Sequence, residues 1–134
     1  MKKKYDPQLL KVLLMANSLN EILQMLKLIC KNLNLNKVNS RTRHFKDLQF
    51  TFFGLIVKAN GLMDRLAWQV SGLEMSTKKF SNISPELKEI NKTLKYAHTK
   101  IEKNNVSESA TQLIIAAEKF EKTFNKINTA IQGA

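Results

Sequence analysis

Few side chains in this chain of 134 residues have the types and spacing that catalysis or metal binding requires. His98 and Glu102 lie one turn apart on a predicted helix and can pair, but one such pair on a lysine-rich surface is typical of an ordinary exposed contact. A di-metal bundle needs Glu-x-x-His on facing helices, and neither His44 nor His98 follows a carboxylate by three residues. The sequence also lacks a glycine-rich phosphate loop and a cysteine pair with zinc spacing. We therefore predict no enzymatic activity, no metal, no cofactor and no small-molecule substrate.

The lone cysteine, Cys30, falls on the apolar line of the first predicted helix, so we expect a buried, inert thiol. It cannot form an internal disulfide, and a cytoplasmic location is the expectation. Residues 2–4 and 9–16 loosely imitate a signal peptide, but Asp6 and Pro7 separate the charged part from the apolar part. No uninterrupted apolar run is long enough to predict a membrane-spanning helix.

Three glycines share one line of a long predicted helix over residues 41–75. At 100° per residue, Gly54, Gly61 and Gly72 lie within about 20° of one another. A glycine inside a helix costs about 1 kcal/mol relative to alanine, so three on one line require a reason, and close approach of another backbone is the usual one. The apolar line expected to face the core centres about 130° away. It comprises Phe45, Leu48, Phe52, Leu55, Ala59, Leu62, Leu66, Val70 and Leu73.

Cations and aromatic residues surround the glycine line. Within about 40° of it lie six residues at helical spacing, namely Arg43, Asp47, Phe50, Lys58, Arg65 and Trp68. Two explanations stay open: the glycines ease packing against neighbouring helices of the same chain, or the face binds a partner helix or a second copy. Tryptophan and arginine are enriched at the energetic centres of interfaces. We therefore predict a partner-binding face made by Gly54, Lys58, Gly61, Arg65, Trp68 and Gly72.

A second candidate site is a run of basic residues that spans the first loop. It comprises Lys27, Lys31, Lys37, Arg41, Arg43 and Lys46. The net charge is +11. Residues 1–63 contain 11 cationic and three acidic residues, whereas residues 64–134 contain 11 cationic and eight acidic ones. Such a balance suits an anionic partner, and a helix beginning near residues 40–44 suits a phosphate. However, 19 of the 22 cationic residues are lysines, and most such runs are solvated faces.

Four amphipathic helices and no strand are expected, and they predict an all-α, antiparallel, up-down four-helix bundle in one domain over residues 1–134. The expected helices cover residues 7–33, 41–75, 85–104 and 108–131. Asp6 with Pro7, Ser40, Ser84 with Pro85, and Ser107 provide their start signals, and asparagines at 32–39 and 104–105 mark the ends of the first and third helices. The apolar line expected in the core comprises Leu9, Leu13, Ala16, Leu19, Leu23, Leu26, Cys30 and Leu33 on the first helix, Leu87, Ile90, Leu94, Ala97 and Ile101 on the third, and Leu113, Ala117, Phe120, Phe124, Ile127 and Ile131 on the fourth. The second helix is unusually long, about 54 Å if unbroken, so it either overhangs its neighbours or bends near Gly61 or Gly72.

These observations favour a non-enzymatic, small basic helical-bundle protein that acts through protein–protein interaction, as an oligomeric scaffold, an adaptor or a subunit of a larger complex. The alternative is a nucleic-acid-binding accessory protein that contacts the phosphate backbone with the basic run, with binding that weakens steeply in salt. Peripheral attachment to a membrane through residues 2–4 and the first helix is not favoured, because that helix has the pattern of a core helix.

Overall fold

The structure is a computed structural model that describes residues 7–35, 43–74 and 78–132, with the side chains of residues 43–47 and 74 outside the description. It contains four helices: α1 (Pro7–Asn32), α2 (Arg43–Glu74), α3 (Ile83–Glu102) and α4 (Val106–Gln132). Each helix packs against the next, and α4 packs back against α1. The described residues contain no strand. The predicted all-α, up-down four-helix bundle is therefore confirmed, and α2 is its longest helix, with 32 residues.

The core is built from apolar side chains that recur every three or four residues on each helix. On α3 the predicted line is buried throughout: Leu87, Ile90, Leu94, Ala97 and Ile101. On α4 the predicted line is also buried except for Phe124, which is half-buried and stacks on the Phe120 ring with 6.5 Å between centroids. A short 3-10 turn at Lys78–Phe80 places Phe80 against α2 and α4 as one of the largest buried side chains.

The buried line of α2 differs from the predicted one. It consists of Phe52, Ile56, Ala59, Met63, Leu66, Val70 and Leu73. Leu55 and Leu62 were expected in the core but are only half-buried, and Leu48 is exposed. At 100° per residue, the centre of the buried line lies about 160° from the three glycines, whereas the expected line was centred about 130° from them. The glycines are therefore almost opposite the core.

The buried line of α1 also shifts by part of a turn. Leu9, Leu13 and Leu33 were expected in the core, but they are only half-buried. Val12 and Leu35 are fully buried instead. A leucine-rich helix has apolar residues on adjacent lines, so contact with α2 and α4 decides which line is covered.

Two predicted helix starts are wrong. Ser84 does not cap α3, which begins at Ile83, because the buried Ser84 hydroxyl shares a hydrogen bond of 3.3 Å with the Ser71 hydroxyl on α2. Ser107 does not cap α4 either. The Asn105 side chain holds the cap position, and its Oδ1 accepts a hydrogen bond from the Glu108 amide at 3.2 Å.

Asparagines end α1 and α3. Asn34 and Asn104 have left-handed backbone conformations, with φ of 52° and 61°. Each is followed by a residue whose amide donates back to the helix: Leu35 to the Cys30 carbonyl at 3.0 Å, and Asn105 to the Lys100 carbonyl at 2.8 Å. Asparagine tolerates this conformation better than other residues with side chains. The asparagine clusters at 32–39 and 104–105 therefore include real stop signals.

Helix α2 continues without interruption from Arg43 to Glu74, passing through Gly61 and Gly72. Of the two alternatives left open by its length, a break at a glycine does not occur, and the helix spans about 48 Å. Its predicted cap, Ser40, and its predicted end at residue 75 lie outside the described residues, as does Asp6 before α1.

Among the described residues, α1 alone is long and apolar enough to cross a membrane, judged by length and composition. The core helix of a soluble bundle and a signal sequence pass the same test. In this bundle, six residues of α1 are buried: Val12, Ala16, Leu19, Leu23, Leu26 and Cys30. Of the 15 apolar residues of α1, these six are buried, five are half-buried, and four are exposed on its outer side.

Candidate protein-binding face

The outer face of α2 is the side opposite its buried line. We define this face by six residues spaced mostly three or four apart: Phe50, Gly54, Val57, Gly61, Trp68 and Gly72. All six are exposed, and so are Lys58 and Arg65 beside them. The structure therefore brings the six residues predicted for partner binding onto one continuous exposed surface of a single rigid element.

Two large aromatic side chains project from this face into solvent. Phe50 is 95% exposed and Trp68 is 75% exposed, and Val57 lies between them along the helix. A single exposed apolar side chain is normal, but a row of large ones on one helix face is typical of an interaction site. The chain has only one tryptophan, so this residue is also a unique optical reporter of the face.

The three glycines have no structural explanation within the described chain. A Cβ atom added to Gly54, Gly61 or Gly72 would meet no atom within 4 Å. None of them has a positive φ, so no left-handed turn requires glycine. The explanation that glycine eases packing between helices of the same bundle is therefore wrong for the described residues. What remains is a shallow strip of bare backbone between exposed aromatic side chains.

A groove between α1 and α2 borders this face. It has a volume of about 700 Å³ and is lined by Lys11, Met15, Asp64, Arg65, Trp68 and Gln69. Trp68 belongs both to the groove and to the outer face of α2, so the two surfaces are continuous. A helix lying along α2 would therefore also reach side chains of α1.

The charges around the groove are unevenly matched. The Asp64 carboxylate accepts a hydrogen bond from Asn91 Nδ2 at 2.9 Å and lies 3.4 Å from Lys95 Nζ, both on α3. In contrast, no carboxylate of the described residues lies within 4.0 Å of the Lys11, Lys58 or Arg65 cation. The acidic group of the groove is satisfied within the chain, whereas its cations face solvent.

The predicted pair on α3 forms at the other flank of α2. His98 Nε2 lies 3.0 Å from Glu102 Oε1, and the imidazole packs against Phe53 with 5.4 Å between ring centroids. The pair thus lies at the junction of α2 and α3, where the imidazole contacts a side chain of α2. No cluster of three or more metal-ligating side chains is present among the residues that the structure describes.

The basic run is assembled only in part within the described residues. Lys27 and Lys31 lie 3.9 and 4.0 Å from the same oxygen, Oε1 of Glu118 on α4. Lys37 and Arg41 lie outside the described residues, and so do the side chains of Arg43, Lys46 and the neighbouring His44. The two lysines with described positions thus share an acidic neighbour, which reduces the local positive charge.

Cys30 is fully buried, as expected. Removal from water disfavours the thiolate and raises the pKa of the thiol from 9.0 to about 12, against a smaller opposing effect of a backbone hydrogen bond. The thiol is therefore protonated at neutral pH and unreactive as a nucleophile.

Sequence reasoning missed the contribution of α1 and the place of Val57. Besides Lys11 and Met15 in the groove, α1 exposes four large apolar side chains on the side opposite its buried line: Leu10, Leu14, Met25 and Leu28. The signal was present, because these residues also recur at helical spacing. Because both lines lie on the same leucine-rich helix, spacing alone does not show that the second line is exposed.

Comparisons with protein-family models, with curated proteins and with solved structures find no match for this chain. The interpretation of the face therefore rests on its own residues: exposed aromatics, bare backbone at three glycines, and cations without carboxylate partners in the described chain.

Proposed function

We propose that this protein is a non-enzymatic binding module of the cytoplasm, an adaptor or subunit that holds a helical segment of a partner against the outer face of α2. The observation that carries the proposal is the alternation of exposed Phe50 and Trp68 with glycines that touch nothing in the described chain. Bare backbone lets a second helix approach closely, and Phe50 and Trp68, which both lie about 40° to the same side of the glycine line, then supply apolar area along that side of the contact.

The cost of three glycines to the stability of α2 favours this proposal over an incidental origin of the glycines. Each one lowers the helix stability by about 1 kcal/mol relative to alanine. Three such residues on one exposed line cost a sizeable part of the 5–15 kcal/mol or so that holds an ordinary domain together. No internal contact offsets that cost in the described chain, so a contact with a partner is the natural compensation.

The test uses Trp68 as the reporter. A model helix of about 20 residues (roughly 30 Å), with one apolar line of leucine, glutamine elsewhere and no aromatic residue, is titrated into the purified full chain. The proposal predicts a saturable blue shift of the tryptophan emission, because a bound helix removes water from the indole ring.

Two substitutions at one position provide the matched control. Gly61→Ala adds a single methyl group and retains most of the shallow strip, whereas Gly61→Leu fills it. We expect the alanine variant to bind the model helix and the leucine variant to lose binding, with helicity by circular dichroism unchanged in both. An emission spectrum that never moves, in a chain that also remains monomeric by light scattering, would contradict the proposal.

No described contact favours the nucleic-acid alternative, because the two placed lysines of the basic run share Glu118. Binding of nucleic acid can nevertheless be detected during purification of the protein. Nucleic acid that co-purifies at about 0.1 M salt and is released at about 1 M salt, as counterion release requires, would place the basic run ahead of the α2 face.

A further inference from the structure

We infer that the partner helix is acidic: it brings carboxylates along the flank that faces the groove between α1 and α2. This inference rests on the proposed function and specifies the chemistry of its partner. The charges at the groove carry it. Lys11 and Arg65 line the groove, and Lys58 lies two turns before Arg65 on the same side of α2.

These three cations lie on one flank. On α2, Lys58 and Arg65 are about 20° apart around the helix axis, displaced from the glycine line toward the groove. Lys11 reaches the same groove from α1. A helix seated on the glycines would therefore have one edge beside three positive groups, with Lys11 and Arg65 in the same groove and Lys58 roughly two turns from Arg65.

The carboxylates that the structure describes do not neutralise that edge. Asp64 lines the groove, but Asn91 and Lys95 of α3 hold it from the other side. Glu21, an exposed acidic residue of α1, lies about 80° around the α1 axis from Lys11 and forms no ion pair within 4.0 Å with a described cation. The flank is therefore left with a local positive charge that a partner can complement.

A second copy of the chain fits this charge pattern poorly. Two copies each carry a net charge of +11 and would repel each other. An antiparallel pair related by a two-fold axis at Gly61 would also bring Lys58 of one copy beside Arg65 of the other, since both residues lie on the same flank. Self-association would thus bring the cations together without neutralising them.

A membrane surface is a poorer fit than a helix. Anionic lipid would complement the same cations, and the aromatics would suit the interface between lipid and water. Yet a fluid lipid surface gains nothing from bare backbone at three positions, whereas a rigid helix gains close approach. The glycines therefore favour a folded helical partner.

The experiment compares three model helices of about 20 residues each, identical in their leucine line and carrying glutamate, glutamine or lysine at the remaining positions. The readout is again Trp68 emission in the full chain. Exposed ion pairs are weak, so we expect the acidic helix to bind only about three- to tenfold more tightly than the neutral one, and the basic helix to bind more weakly than the neutral one. At about 1 M salt the three affinities should converge, because the Debye length falls to about 3 Å.

Charge variants connect the preference to the groove. The triple variant Lys11→Gln, Lys58→Gln and Arg65→Gln should bring the affinity for the acidic helix down to that for the neutral helix, which itself should not change. Lys88→Gln, at an exposed position on α3, is the matched control and should leave the preference intact.

The outcomes separate this inference from the proposed function. Equal binding of all three helices, or saturation of the face by a dimer of the chain, would overturn the acidic partner and keep a helix-binding face. Emission that responds only to phosphatidylserine vesicles, or only to single-stranded oligodeoxythymidine, would overturn both. A glutamate preference that the triple variant removes supports the inference.

Discussion

The two halves of the bundle present very different outer surfaces. Of the 11 large hydrophobic side chains exposed among the described residues, nine belong to α1 and α2, and only Tyr96 and Ile115 belong to α3 and α4. The α3–α4 half is instead closed by polar contacts across the helix pair. Glu86 binds Lys126 Nζ through both carboxylate oxygens at 2.8–2.9 Å, and the Ser109 hydroxyl donates to the Ala97 carbonyl at 2.8 Å.

The difference shows that the apolar residues of the α3–α4 half are mostly covered within the bundle, whereas the α1–α2 half has apolar residues that the bundle leaves exposed. Helices α3 and α4 bury one apolar line each and expose polar residues. Helices α1 and α2 bury one apolar line and expose a second, and α2 interrupts its exposed line with glycine. We attribute the second surface of α2 to a partner helix rather than to the stability of the chain, and four predictions test how the two halves differ.

The largest effect is expected from the same substitution made inside and outside. Phe120→Ala on α4 removes a fully buried ring and should reduce the free energy of unfolding by about 3–5 kcal/mol. Phe50→Ala on α2 should change it by no more than about 0.5 kcal/mol. Urea denaturation measures both. A large loss at Phe50 would mean that the exposed aromatic belongs to the fold and that the two halves do not differ as described.

Alanine at all three glycines of α2 should stabilise the isolated chain. The added methyl groups meet nothing within 4 Å, so the gain in helix propensity is unopposed. We expect the triple variant Gly54→Ala, Gly61→Ala and Gly72→Ala to raise the free energy of unfolding by about 2–3 kcal/mol. A less stable triple variant, measured by the same urea titration, would show that the glycines serve the fold.

The burial of Cys30 in the α1–α2 half should make the stability of the protein depend on pH above about pH 9. Its thiol has a pKa of about 12 in the folded chain and 9.0 as the reference value, so the folded state retains a proton that the unfolded state loses between these values. Stability is therefore unaffected below about pH 9 and falls as the pH rises toward 12, by up to about 1.4 kcal/mol per pH unit. The Cys30→Val variant removes this contribution. Parallel pH profiles of the two proteins would indicate an accessible thiol.

The smallest effect is expected at the polar contacts of the α3–α4 half. Ser109→Ala removes the buried hydrogen bond to the Ala97 carbonyl and should cost about 1 kcal/mol. Ser18→Ala, at an exposed site on α1, corrects for the difference in helix propensity between serine and alanine. Equal free energies of unfolding for the two variants would remove this bond from the list of stabilising contacts.

The fold could be predicted well from the sequence, and the buried lines could be predicted unevenly. On α3 each apolar residue of the predicted line has polar neighbours, so its spacing has one interpretation, and all five residues are buried. On α2, apolar residues occur as adjacent pairs such as Leu55 with Ile56 and Leu62 with Met63. Helical periodicity is compatible with burial of either member of each pair, and only packing against α1 and α3 determines that Ile56 and Met63 are the buried ones.

The helix starts show where local rules end. Ser84 followed by Pro85 satisfies every local criterion for a cap. The hydroxyl is nevertheless used by Ser71, a residue of another helix, and no window of sequence around Ser84 reveals that partner. The candidate face, in contrast, could be predicted because it needs no information about another helix. Its residues lie on one helix, so their common exposure follows from helical geometry alone, whereas the contribution of Lys11 and Met15 required the packing of α1 on α2.

The most direct test of the central claim is an NMR titration of the uniformly ¹⁵N-labelled chain with the neutral model helix. The account predicts amide shift changes along the outer face of α2, strongest around Gly54, Gly61 and Trp68, with smaller changes at the groove side of α1. Amides on the outer sides of α3 and α4 should remain in place. Shift changes centred on α3 and α4, or none at all at saturating helix concentration, would contradict the assignment of the α2 face as the binding surface.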